Sequence, residues 1–231
     1  HEPSLVYVDE TLPPLIDASF NHWKHEVLGE SVCHLAYDDF FTPRIQTTNY
    51  VQLLHDMQLH FTNAQLSVIE LPYHSEGGFA KHITRKDVLH NFPRQNRLVV
   101  IEMTGAEIRA ALELSASVFA INAHDEIDFS MNVFYPQPQP YIYDVWGGID
   151  YEICLQKPTG QRVVICLYDG KEIQEHQLFT VVINSYRATG AHGFSMFKKV
   201  PLCESQRFVP ELMMEYIQQR SPLTTKTKNH F

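Results

Sequence analysis

An α+β fold, with mixed and antiparallel sheets flanked by helices, is predicted by three features of this 231-residue sequence. A strand that runs straight into a capped helix occupies Leu98 to Phe119. Strand segments separated by turn residues fill Gly148 to Asn184, and amphipathic helices lie toward both ends. Taken in order, Leu15, Ile16, Phe20, Trp23 and Val27 follow Pro13-Pro14 at spacings that fit one amphipathic helix. Residues 1–47 read as a lead-in segment built around it. Tyr50, Leu54, Met57 and Phe61 recur at helical spacing and predict a helix over Asn49–Asn63.

Gln65 to Leu71 reads as a short strand that empties into a loop ending Glu76-Gly77-Gly78-Phe79, where two glycines permit close backbone approach or positive φ. A short helix over Thr84–His90 has Thr84 as its N-cap, with Asp87 three residues on. Leu98–Met103 is apolar enough for a buried strand. Thr104-Gly105-Ala106-Glu107 is a capping box, and Ile108, Ala111, Leu112, Ser115 and Phe119 share the following helix face. Between Ala120 and Ile142, prolines at 136, 138 and 140 force extended backbone over a length unusual for an idle connection.

Strands over Ile149–Leu155, Arg162–Leu167 and Leu178–Asn184, with turns at Pro158-Thr159-Gly160 and Asp169-Gly170, predict an antiparallel meander. A last helix over Pro210–Arg220 carries Leu212, Met213, Tyr216 and Ile217 on one face, and residues 222–231 read as a frayed polar tail. Residues 48–221 are the expected ligand-binding domain.

Composition narrows the function. With 44% hydrophobic residues, 14 Phe and 11 Tyr, the chain can bury a core and is neither disordered nor a repeat array. A formal charge of −9 argues against a polynucleotide partner, whose phosphates bind clustered Lys and Arg. No apolar run has the length of a membrane span. Cys33, Cys154, Cys166 and Cys203 form no C-x-x-C pair, and only Cys154 and Cys166 stand where neighbouring strands could join them.

The 13 histidines form no H-E-x-x-H signature, and His22 with His25 is too sparse for a metal centre, so no metal ligand is expected in this chain. Nucleophile elbows, phosphate loops and dinucleotide fingerprints are absent, and no catalytic residue is assigned. Two aromatic loops stand out instead. Tyr141–Gly148 contains Tyr143, Asp144 and Trp146, and Asn184–Phe194 contains Tyr186, Arg187, Ala191, His192 and Phe194. Rings on glycine-bearing loops offer either stacking platforms for a nucleobase or caps for the core.

Asp87–Ile108 resembles a stretch of the 5′-nucleotidase C-terminal domain family. Tyr141–Tyr151 is similar to the "YNYDMxxGIxY" segment of the branch that acts on 2′,3′-cyclic nucleotides and 3′-nucleotides, and Asn184–Gly190 follows in the family's order. The likeness covers about Thr48 to Arg220. It implies a substrate-specificity domain that clamps a nucleobase between two rings, which fall on Tyr143 and Phe194. It also implies an N-terminal metallophosphatase domain of the same parent protein, whose divalent metal ions carry out the hydrolysis.

On this basis Asp144 and Asn184 are expected to hydrogen-bond a base edge or ribose. Gly77, Gly78 and Lys81 are expected on the phosphate side, where Arg44 is a further candidate cation, and Arg187 is expected to anchor its loop. The isolated chain is predicted to bind a nucleoside or nucleotide and to hydrolyse nothing. Family members are commonly exported or attached at the cell surface. Departures at Glu76–Lys81 and Ala191-His192 keep a second reading open, a non-catalytic nucleotide-binding module.

Overall fold

A computed structural model describes residues 14–71, 76–131 and 143–225. In chain order the elements are α1 (Pro14–Lys24), β1 (Val27–Glu30), β2 (Leu35–Tyr37), α2 (Thr42–Ile45), α3 (Asn49–Thr62), β3 (Leu66–Glu70), β4 (Gly77–Phe79) and β5 (His82–Thr84). Then come α4 (Arg85–Asn91), β6 (Arg97–Thr104), α5 (Gly105–Ala116), β7 (Phe119–Ile121), β8 (Ile127–Phe129) and β9 (Asp144–Gly147). The chain finishes with β10 (Asp150–Ile153), β11 (Val163–Tyr168), β12 (Lys171–Glu172), β13 (Leu178–Asn184), three 3-10 turns over residues 187–197, β14 (Cys203–Phe208) and α6 (Val209–Arg220).

Local chemistry sets several boundaries. Thr48 caps α3 by accepting from the Val51 amide, and Asn63 ends it in the left-handed region at φ 52°. Thr84 with Asp87, and Thr104 with Glu107, form reciprocal capping boxes at the starts of α4 and α5.

The centre is a five-stranded sheet in the order β14-β6-β13-β3-β9. Only β13 and β3 run parallel, in register Val181↔Leu66; the other neighbours are antiparallel. Strand alternation divides the apolar side chains between two clusters. Leu98 and Val100 of β6 join Tyr50, Leu54 and Met57 of α3 and Leu212, Met213 and Ile217 of α6. Val99, Ile101 and Met103 join Ile108 and Leu112 of α5 and Val163 and Cys166 of β11. Each fully buried aliphatic side chain contributes about 1.5–3 kcal/mol, so helices are held on both faces.

Several expectations change. The meander is divided, because β10, β11 and β12 form their own antiparallel sheet while β13 enters the central one. Phe119 has left α5 and starts β7, where it packs on Phe129, Phe41 and Tyr143. Tyr141–Gly148 is not simply a loop: Asp144–Gly147 is an edge strand paired with β3. The lead-in boundary at residue 47 cuts through the domain, since β1 pairs with β5 and β2 with β4. The start of the tail is tied down as well, with Leu223 2% exposed and bridged to Ser31. Cys154 and Cys166 are both free thiols, and Cys166 faces Tyr151 across the strand pair.

Candidate functional site at the carboxyl ends of the parallel strand pair

The parallel pairing of β13 with β3 brings both carboxyl ends to one end of the sheet, and antiparallel β9 and β6 begin there. Four side chains meet as a result. Glu70 ends β3, Asp144 starts β9 directly opposite it, Asn184 ends β13, and Arg94 precedes β6. The loop after Asn184 folds over them through three consecutive 3-10 turns.

Beneath that loop lies a buried ion pair. Arg187 is 1% exposed and donates to Asp144 Oδ1 from Nη2 at 2.8 Å and from Nε at 3.2 Å. Asp144 is also 1% exposed, and its Oδ2 has no hydrogen-bond partner among the described residues. Burial pushes the Asp144 carboxyl up to about 7, against the opposing pull of Arg187. The Arg187 guanidinium lies 4.4 Å from the centre of the Phe194 ring, which itself stacks on Phe197 at 5.4 Å and 11°. Arg187 therefore anchors the loop.

Above the pair is a half-buried polar rim. The Asn184 side chain is committed at both ends: Nδ2 donates to Glu70 Oε2 at 3.3 Å, and Oδ1 accepts from the Arg187 amide at 2.7 Å. Arg94 stands 3.8 Å from Glu70 and lies over the Tyr186 ring at 5.6 Å. The Tyr186 hydroxyl and His192 Nε2 are 2.7 Å apart. His192 adopts φ 57°, a left-handed conformation that costs a non-glycine residue on the order of 1–3 kcal/mol. Burial, with Arg187 and Arg94 nearby, lowers the His192 pKa below 6.5, while Glu70 opposes the shift.

The rings chosen for the clamp do not line this rim. Tyr143 is 4% exposed and donates to the Arg44 carbonyl at 2.8 Å, within the α3 and α6 cluster. Phe194 is 0% exposed and belongs to the other cluster, so the two rings do not face each other across one slot. Strand parity explains the outcome, since residue 143 shares the face of Val145 and not that of Trp146. Among the described residues the half-buried ring at the rim is Tyr186, in the loop that the sequence singles out.

Gly77 and Gly78 serve strand packing. A Cβ on Gly78 would come 2.0 Å from the Leu35 carbonyl, and the Gly78 amide donates to Asn91 Oδ1 at 3.0 Å, so this N–H is spoken for. Lys81 lies exposed between β4 and β5. Arg44 is 3% exposed, donates to the Phe40 and Leu71 carbonyls, and lies 3.6 Å over the Phe40 ring. Burial lowers its pKa to about 10. Among the described residues no three of His, Cys, Asp and Glu are grouped to hold a metal ion, and no described helix is long and apolar enough to cross a membrane.

Residues 31–199 match the family model of the 5′-nucleotidase C-terminal domain. The sequence is 26% identical over 153 residues to the trifunctional nucleotide phosphoesterase protein YfkN of Bacillus subtilis (strain 168), a match covering 59% of this chain and 10% of the relative. It is 32% identical over 108 residues to the 2′,3′-cyclic-nucleotide 2′-phosphodiesterase/3′-nucleotidase of Haemophilus influenzae, covering 41% and 16%. A solved Staphylococcus aureus structure described as a 5′-nucleotidase in complex with alpha-ketoglutarate shares the fold at TM-score 0.83 and 24% identity, covering 97% of this chain and 44% of that one. A 5′-nucleotidase precursor from Thermus thermophilus shares it at TM-score 0.72 and 20% identity, covering 94% and 41%. The chain thus corresponds to less than half of either solved protein.

Proposed function

This chain belongs to the 5′-nucleotidase C-terminal domain family, and from that membership we propose that it is the substrate-recognition half of a nucleotide phosphohydrolase. Hydrolysis is assigned to a separate N-terminal metallophosphatase domain, whose divalent metal ions supply Lewis-acid chemistry. Among the described residues, no three of His, Cys, Asp and Glu are grouped to hold a metal ion.

The observation that carries the reading is the rim at the carboxyl ends of β3 and β13. There a half-buried Tyr186 ring, with Arg94 over it, adjoins Glu70 and Asn184 above the buried Arg187–Asp144 pair. A nucleobase gains about 1–3 kcal/mol by stacking on such a ring, and every base has a π face to offer. Arg94, with its side chain 62% exposed, can meet a phosphate or ribose oxygen. The clamp is therefore proposed in altered form. Tyr186 is the contact ring, while Tyr143 and Phe194 are core residues on opposite faces of the sheet: Phe194 backs Arg187, and Tyr143 donates to the Arg44 carbonyl.

The test is titration of the 231-residue chain with adenosine and 3′-AMP, read by tyrosine and tryptophan fluorescence. Saturable binding without phosphate release is expected, and Tyr186→Ala should weaken it by about 5- to 150-fold. Unchanged binding by Tyr186→Ala would overturn the contact-ring assignment, and no binding by the wild-type chain would overturn the nucleotide reading.

A further inference from the structure

We propose that His192 is a positioning residue that latches the Tyr186 ring in its stacking orientation and makes nucleoside binding depend on the protonation of the His192 imidazole. The inference rests on the nucleotide reading of the rim, but its geometry is independent of any ligand. Tyr186 opens the first 3-10 turn as its N-cap, and His192 lies within the second turn, between Gly190 and Gly193. Their side chains close the loop on itself at this point, through the 2.7 Å contact between hydroxyl and Nε2. The ring centroids are 5.9 Å apart at 53°, so the imidazole restrains the tip of the phenol without stacking on its face.

The backbone at His192 has reason to favour glycine. At φ 57° a residue without a Cβ is at ease, and a histidine is retained there against a conformational cost. A side chain held there at a conformational cost, with its outer nitrogen against a neighbour's hydroxyl, restrains that neighbour. A free tyrosine ring must give up rotamer freedom when a base stacks on it; a latched ring has already done so.

Protonation matters because a neutral imidazole can accept the phenol proton at Nε2, whereas an imidazolium can only donate. Among the described residues, the groups near His192 include Tyr186 and Arg187 of its own loop, Glu70 at the end of β3 and Arg94 before β6. Two guanidinium groups and partial burial disfavour the cation, and one carboxylate favours it. The neutral form is therefore held to lower pH than in a solvated histidine, and in acid the contact reverses, with the imidazolium Nε2–H donating and the Tyr186 hydroxyl accepting.

The experiment pairs a ligand-free measurement with a binding one. In the free wild-type chain, NMR of the His192 ring nitrogens should show Nε2 accepting a hydrogen bond and titrating below 6.5, and Tyr186→Phe should abolish that signature. Adenosine affinity should change as His192 protonates and the contact with Tyr186 reverses its direction. His192→Gly should relieve the backbone, leaving thermal stability equal or higher, yet weaken adenosine binding about three- to tenfold. Tyr186→Phe should weaken it similarly, the double variant no further, and both should flatten the pH profile. Adenosine binding with unchanged affinity and pH profile in His192→Gly would overturn the latch alone. An NMR signature insensitive to Tyr186→Phe would do the same. A wild-type chain that shows the signature but binds no adenosine would overturn the nucleotide reading, and the positioning role with it.

Discussion

The β3–β9 ladder has a polar group buried at each end, and the two ends are built in opposite ways. At one end Ser67 stands opposite Gly147, and the Ser67 hydroxyl donates to Gln58 Oε1 at 2.9 Å while lying 2.9 Å from His55 Nδ1. These groups are neutral, and His55 and Gln58 belong to the buried face of α3, a regular capped helix packed over Ser67. At the other end Glu70 stands opposite Asp144, and the buried groups are charged and covered by 3-10 turns with two left-handed glycines and a left-handed histidine. A packed neutral knot under a helix is what a stable core asks for. A charged knot under an irregular loop, with one carboxylate oxygen unpartnered among the described residues, costs desolvation and is kept where the loop above it must hold a particular shape.

The largest expected effect breaks the charged end. Arg187→Ala leaves Asp144 buried without its partner and should cost about 3–5 kcal/mol in urea unfolding at about pH 8. Replacing both partners, Asp144→Leu with Arg187→Met, should be less destabilising than Arg187→Ala alone, because no orphan charge remains. A loss below about 1 kcal/mol for Arg187→Ala would mean that the pair is not desolvated as the structure shows it.

How much of this contrast is legible in the sequence depends on whether the signal is local. The capping residues Thr84 with Asp87 and Thr104 with Glu107, the β6 run and the α3 periodicity are chemistry within a few residues of itself, and the structure has each of them. β9 reads as an aromatic loop because its strand character comes from pairing with β3, far away along the chain. β14 gives no signal, since an edge strand exposing Cys203, Glu204, Gln206 and Arg207 shows no apolar alternation. The same limit governs the site. Both aromatic segments can be picked out by composition, and the family resemblance holds across them, but which ring faces outward depends on sheet parity and on the turns after Asn184. Tyr143 and Phe194 are therefore core residues, and the neighbouring Tyr186 takes the rim.

A smaller effect sharpens the contrast through pH. Asp144 has a folded-state pKa raised from 3.8 to about 7, so its contribution is full below about 4 and is lost as pH rises toward 7. His55, desolvated on the buried face of α3, has a folded-state pKa lowered from 6.5 to about 3, so its contribution is full above 6.5 and is lost as pH falls. Between about pH 4 and 6.5 the two slopes oppose, each approaching about 1.4 kcal/mol per pH unit. Asp144→Asn should unmask stability that rises with pH across that window, and His55→Gln should unmask stability that falls. Urea midpoints at half-unit steps from about pH 4 to 7.5 provide the check. An Asp144→Asn curve parallel to wild type would show that the carboxyl does not titrate in this range.

The smallest effect tests whether the neutral end is as tightly set as its bonding implies. Gly147 passes beneath the His55 ring, and a Cβ there would lie 2.5 Å from Cγ and 2.6 Å from Nδ1. The ring cannot swing aside without leaving Ser67, so Gly147→Ala should cost about 1–3 kcal/mol by overpacking. In a His55→Ala background the collision disappears and the added methyl fills part of the space the imidazole left. The two substitutions should therefore couple favourably by roughly 1 kcal/mol or more in a double-mutant cycle. Adenosine affinity should be the same in Gly147→Ala as in wild type, because this residue lies at the opposite end of β9 from Asp144. Additive stabilities would mean that the ring yields, and a parallel loss of adenosine binding would mean that the ladder transmits strain from its packed end to its charged one.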